Sequence, residues 1–127
     1  MAIIDTEIWI DGFKVKDSVE DREIKRLVAA KEAAVVGMIL VEVLRGSRDE
    51  KEFDDLTQEL LAAQLIESNE TDWLDAGRIL FTLKRRGEII PLPDALIAAQ
   101  ALNGGHVVYS DDRHLRRVAG LRFHQPV

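Results

Sequence analysis

Apolar residues follow two rhythms along this chain. Ala2–Ile4, Ala33–Val36 and Val107–Tyr109 are short unbroken apolar runs, which predict strands buried on both faces. Leu65-Ile66 and Leu121–Phe123 are shorter candidates for the same role. Between these runs the apolar positions recur at helical spacing. Ile24, Leu27 and Val28 share one face of a helix over Arg22–Lys31. Met38–Arg45 predicts a short apolar helix stopped by Gly46, and Lys51–Leu65 repeats the period through Phe53, Leu56, Leu60 and Ala63. Thr71 or Asp72 is suited to cap a helix carrying Trp73, Ala76, Leu80 and Phe81 on one face and ending at Lys84-Arg85-Arg86-Gly87. Pro91 and Pro93 then precede an almost wholly apolar helix, Asp94–Leu102, which belongs inside the fold. Thr6–Phe13 reads as a turn or short helix, and Asp112–Val118 as a short helix.

Short buried strands alternating with helices imply parallel strands joined by crossovers, hence an α/β sheet with helices on both faces. The chain has the length of one domain, 1–127, with no repeat or low-complexity segment. In open parallel sheets, binding sites lie beyond the carboxyl ends of the strands. Four acidic residues sit against the apolar segments: Asp5 after the first strand, Glu42 as the only charge within Met38–Leu44, Asp94 before the apolar helix, and Asp112 just after Val107–Tyr109. A partly desolvated carboxylate is costly without a partner, so this placement points to a shared cation. Hard ions such as Mg²⁺ and Mn²⁺ favour carboxylate and water oxygens.

Each acid also has an ordinary explanation. Asp5 can close a turn, Glu42 can pair with Arg45 one turn on, Asp94 can complement a helix N-terminus, and Asp112 can cap the following helix in competition with Ser110 or Asp111. His114 neighbours Asp112 but at helical spacing has no need to face it, and Trp9 and Trp73 read as core or interface anchors.

Charge changes the picture mainly through its distribution. The net charge of −6 argues against nucleic-acid binding by bulk charge. Residues 84–127, however, hold seven basic side chains (Lys84, Arg85, Arg86, Arg113, Arg116, Arg117, Arg122) against four acidic ones, and acids beside basic groups suit a phosphodiester substrate. Cysteine is absent, which excludes disulfides and thiolate ligands and fits a reducing cytoplasm. No apolar stretch approaches a bilayer-spanning length, so no membrane association is expected.

Four segments in order, Ile3–Ile10 (IIDTEIWI), Val41–Gly46 (VEVLRG), Leu92–Ala99 (LPDALIAA) and Tyr109–Leu115 (YSDDRHL), resemble the successive motifs of PIN-domain ribonucleases, with the nearest likeness to VapC-type toxins. The resemblance spans essentially the whole chain. It implies a three-layer α/β/α fold around a mainly parallel sheet of four to five strands. It also implies an endoribonuclease that hydrolyses RNA phosphodiesters through a metal-activated water, the toxin of a type II toxin–antitoxin pair. On that likeness Asp5, Glu42, Asp94 and Asp112 are the catalytic and metal-holding acids for Mg²⁺ or Mn²⁺, Asp111 is a further possible ligand, and Thr6 and Ser110 are supporting hydroxyls. Arg45, Lys84, Arg85, Arg86, Arg113 and Arg116 are candidate RNA contacts. A VapB-type antitoxin and a second copy of the chain are the implied protein partners, and the cytoplasm the implied location. The sequence departs from the family pattern at Glu7, which replaces a commonly small polar residue and can either add a ligand or point away.

Two rival readings share parts of this pattern. A phosphatase of the haloacid dehalogenase type also places an Asp after its first strand, but its acid/base Asp two residues on is Glu7 here. A non-catalytic module could use the same acids to hold a structural ion or a partner's arginines.

Overall fold

The computed structural model describes residues 1–127. Its sheet is built from β1 (Ala2–Ile4), β2 (Ala33–Val36), β3 (Gln64–Ile66) and β4 (Val107–Tyr109). The strands run parallel in the order β3-β2-β1-β4. Six helices connect or flank them: α1 (Thr6–Lys14), α2 (Val19–Ala29), α3 (Gly37–Leu44), α4 (Glu50–Leu61), α5 (Glu70–Arg85) and α6 (Leu92–Gly104). The two central strands, β1 and β2, are buried at every position, which requires cover on both faces and makes the fold a three-layer α/β/α sandwich.

The chain lays down β1, β2 and β3 in one direction and then places β4 on the far side of β1. Ala2, Ile3 and Ile4 consequently pair with Val107, Val108 and Tyr109. Strand order reverses between β1 and β4, so the two chains of connection leave that edge in opposite directions and open a crevice beyond the strands' carboxyl ends. Asp5 and Ser110 are the first residues past those ends.

Several local expectations are corrected. Leu121–Phe123 forms no fifth strand; only Phe123 bridges to Val108, flanked by backbone bonds from Val108 N–H to Arg122 O and from His124 N–H to Val108 O. The fourth helix stops at Leu61, because Gln64–Ile66 are drawn into the sheet beside β2. Asn69, rather than Thr71 or Asp72, caps α5: its side chain accepts from Asp72 N–H while the Asp72 carboxylate accepts from Asn69 N–H. Asn103 of α6 donates to the same Asp72 carboxylate at 2.8 Å, pinning the two helices together. Of the expected face, Ala76 is buried and Leu80 packs against the core, but Trp73 and Phe81 are about half exposed, at 54% and 52%, and Leu83 is buried in their place. Phe53 is likewise exposed, while Leu56, Leu60 and Ala63 are buried as expected. Trp9 is a core anchor whose indole N–H donates to Ile4 O at 3.0 Å.

A second clasp holds the last residues. Glu23 of α2 is buried, receives two bonds from the Arg26 guanidinium at 2.7 and 2.9 Å, and also meets the His124 imidazole. Arg116 stacks over the Phe123 ring at 3.6 Å. No helix is long and apolar enough to cross a membrane.

Candidate active site

Asp5 ends β1 and caps α1, its Oδ1 accepting from Thr6 N–H at 2.8 Å. The other oxygen, Oδ2, accepts from Ser110 Oγ at 2.6 Å, which joins the ends of β1 and β4. The Ser110 hydroxyl oxygen in turn accepts from Asp112 N–H at 3.0 Å, fixing the start of the next loop. Asp112 Oδ1 then accepts from His114 N–H at 2.8 Å and lies 3.0 Å from His114 Nδ1. Such Asx-type bonding favours a turn over a helix, and the helical segment is accordingly only a 3₁₀ turn, Leu115–Arg117, instead of the expected Asp112–Val118 helix.

Asp94 enters from the first turn of α6, where Pro91 and Pro93 set the helix start but provide no side-chain cap. A helix N-terminus favours a charged carboxylate by about 1 kcal/mol. Burial, aided by the negative charges of Asp112, Asp5 and Glu42, outweighs that benefit and pushes the Asp94 carboxyl up to about 7. Asp94 is 8% exposed, and its Oδ2 has no hydrogen-bond partner. Burial also raises Asp5, opposed by its bonds from Ser110 and Thr6. Glu42 projects from the half-buried side of α3, where burial and the Asp5 charge raise its carboxyl and Arg45, one turn on, partly offsets the rise.

Asp5, Glu42, Asp94 and Asp112 thus lie close enough to act electrostatically on one another at the crevice between β1 and β4. Oxygen-rich, mutually repelling acids together with an unpartnered buried carboxylate oxygen fit a divalent cation. Asp94, Asp112 and His114 each offer a ligand atom within 4.8 Å of the others. His114 is the residue that helical spacing misplaced, because the Asp112 turn folds its ring back. Asp111 is exposed and outside this group, and Glu7 is exposed on α1, near enough for its charge to raise Glu42. The Thr6 hydroxyl oxygen is buried without a partner at the base of the site.

The basic candidates separate into two sets. Arg116, though exposed, also makes internal contacts: besides covering Phe123, it donates from Nη2 to Ser110 O at 3.1 Å. Arg45, Lys84, Arg85, Arg86 and Arg113 are exposed, with Arg85 lying against the Phe81 ring.

The family model described as the PIN domain matches residues 2–121. This chain belongs to the PIN-domain family. Two curated PIN relatives, the VapC ribonuclease Mb1587 of Mycobacterium bovis and ribonuclease VapC11 of Mycobacterium tuberculosis, are each 34% identical over 119 residues, covering 87% of this chain and 87% of their own. Among solved structures, a chain in DNA-bound VapBC from Salmonella typhimurium superposes with a TM-score of 0.84 at 20% identity, covering 98% of each chain. That similarity supports the PIN fold of the sheet and helices.

Proposed function

We propose that this PIN-domain protein is a metal-dependent endoribonuclease and the toxin of a type II toxin–antitoxin pair, acting in the cytoplasm as one catalytic domain over residues 1–127. The observation that carries the reading is the convergence of Asp5, Glu42, Asp94 and Asp112 at the β1/β4 crevice, with Asp94 Oδ2 buried and unpartnered. The ribonuclease names of the mycobacterial relatives support the substrate class. VapBC neighbours support a VapB-type antitoxin as partner, and the family likeness supports a homodimer.

Asp5, Glu42, Asp94 and Asp112 would hold Mg²⁺ or Mn²⁺. When bound, such an ion lowers the pKa of water and offsets charge on the phosphodiester. Ser110 keeps the Asp5 carboxylate in one orientation by donating to Oδ2, and His114 N–H does the same for Asp112. Arg45 and the exposed Lys84–Arg86 and Arg113 groups would bind RNA phosphates. By the family likeness, the products would carry 5′-phosphate and 3′-hydroxyl ends.

The test is cleavage of RNA by protein purified free of partner, with Mg²⁺, Mn²⁺ or chelator. Loss of cleavage in chelator and in the Asp5→Asn and Asp94→Asn variants is expected; cleavage by both variants at the wild-type rate would defeat the reading.

A further inference from the structure

The family resemblance assigns the ion to carboxylates alone, yet a nitrogen stands among them. His114 Nδ1 lies 3.0 Å from Asp112 Oδ1 and 3.8 Å from Asp94 Oδ2. Ligand atoms on an octahedral ion at about 2.1 Å are about 3.0 Å apart when adjacent and about 4.2 Å apart when opposite. The His114–Asp112 separation matches adjacent ligands, the His114–Asp94 separation lies between the adjacent and opposite values, and the three ligand atoms all lie within 4.8 Å of one another, so small side-chain rotations bring all three onto one ion. Two features hold the geometry: the His114 backbone N–H is bonded to Asp112 Oδ1 at 2.8 Å, and the Asp94 carboxylate is enclosed. Asp94 Oδ2, the oxygen nearest the ring, is the buried atom that lacks a partner. Facing a carboxylate that can only accept, Nδ1 donates to Asp112 in the ion-free chain; an ion at the site replaces that hydrogen bond, and the neutral ring with its hydrogen moved to Nε2 then offers a lone pair at Nδ1.

We propose that His114 is a direct metal ligand through Nδ1, forming a mixed nitrogen–oxygen site with Asp94 and Asp112 that favours first-row transition ions over Mg²⁺. The inference rests on the metal-dependent reading above and adds ion selectivity to it. Mg²⁺ keeps to oxygen ligands and sheds water reluctantly, whereas imidazole suits transition ions. Mn²⁺ stands lowest among those ions in intrinsic affinity, so a nitrogen bond to Mn²⁺ is a stringent probe. The other two histidines lie elsewhere: His124 is engaged with Glu23, and His106 sits beside the amino terminus.

The full chain, stripped with chelator and loaded with Mn²⁺, is examined by pulsed electron paramagnetic resonance for nitrogen hyperfine coupling, and by Mg²⁺ competition for its affinity ratio. His114→Gln retains an amide that can donate to Asp112 but removes the ring nitrogen. Nitrogen coupling in the wild type, its loss in His114→Gln, and a fall of about tenfold or more in the Mn²⁺-to-Mg²⁺ affinity ratio are expected. Bound Mn²⁺ without nitrogen coupling, or coupling and affinity ratio both retained in His114→Gln, would overturn the inference. The wild-type spectrum decides even where the variant does not fold. RNA cleavage measured on the same samples separates the two claims: cleavage without nitrogen coupling overturns His114 ligation and leaves the ribonuclease reading standing, whereas coupling without cleavage does the reverse.

Discussion

Ser110 donates its hydroxyl hydrogen to Asp5 across 105 positions of chain, and the 2.6 Å bond is buried where β1 and β4 end. Ser110→Ala removes this donor and also the acceptor for Asp112 N–H. The bond favours the ionised form of Asp5, so its loss raises that carboxyl further. A stability loss of about 1–3 kcal/mol in urea titration is expected, with weaker Mn²⁺ binding at neutral pH. Ser110→Thr, which keeps the hydroxyl, is expected to recover most of the binding; recovery by Ala alone would contradict the role assigned to the bond.

Asp94 makes the ion-free protein sensitive to pH. Its folded-state value of about 7 lies above the ordinary 3.8, so the folded chain holds an extra proton between those values. The resulting stability is fully present below about pH 4 and is lost as pH rises through about 7. In chelator, raising the pH from 5 to 8 is expected to remove about 2–4 kcal/mol through this group. Asp94→Asn should flatten the dependence in urea titrations across that range.

The same group links pH to ion binding in the opposite direction. Asp94 must lose its proton to act as a ligand, so affinity for Mn²⁺ is expected to fall as pH drops below about 7. The decline approaches about tenfold per pH unit while this proton dominates. Calorimetry in buffers of different ionisation enthalpy would measure the proton released; no release between pH 6 and 7 would contradict the placement of Asp94.

Much of this arrangement is legible in the sequence. The unbroken runs Ala2–Ile4 and Ala33–Val36 become buried parallel strands, and Asp5 and Asp94 stand out because each borders a segment with no other charge. What escapes sequence reading depends on long-range attachment or on a turn replacing a helix. Asp72 is held by Asn103, 31 residues away, a bond between α5 and α6 that no local pattern announces. His114 is hidden for a local reason: the bond from its own N–H to Asp112 breaks the helical spacing that would have turned the ring away. The short chemistry-rich run at Ser110–His114 could have signalled a turn by its Ser-Asp-Asp opening.

Glu23 lies outside the acidic group, in a clasp whose His124 ring packs on Tyr109, the residue before Ser110. The Arg26 guanidinium, helped by the His124 contact, pulls its carboxyl down to about 2 from 4.5. Its contribution is therefore present above about pH 4.5 and lost as pH falls towards 2. Glu23→Ala is expected to cost about 1–3 kcal/mol, discounted for the partly exposed Arg26, and to reduce the acid sensitivity of the protein. Its RNA cleavage rate per folded molecule should stay within about twofold of wild type, since the Glu23 side chain bonds Arg26 and His124 and none of the four acids. A loss comparable to Asp94→Asn would mean that the tail clasp governs the crevice.

Because β4 is inserted on the far side of the first strand, the reactive centre has no existence in a growing polypeptide that has not reached it. A chain that ends before β4 contains the β1, β2 and β3 segments and lacks the Ser110 clamp, Asp112 and His114. Synthesis therefore completes the candidate site last: a product that stops before β4 carries Asp5, Glu42 and Asp94 without the residues that clamp and complete them.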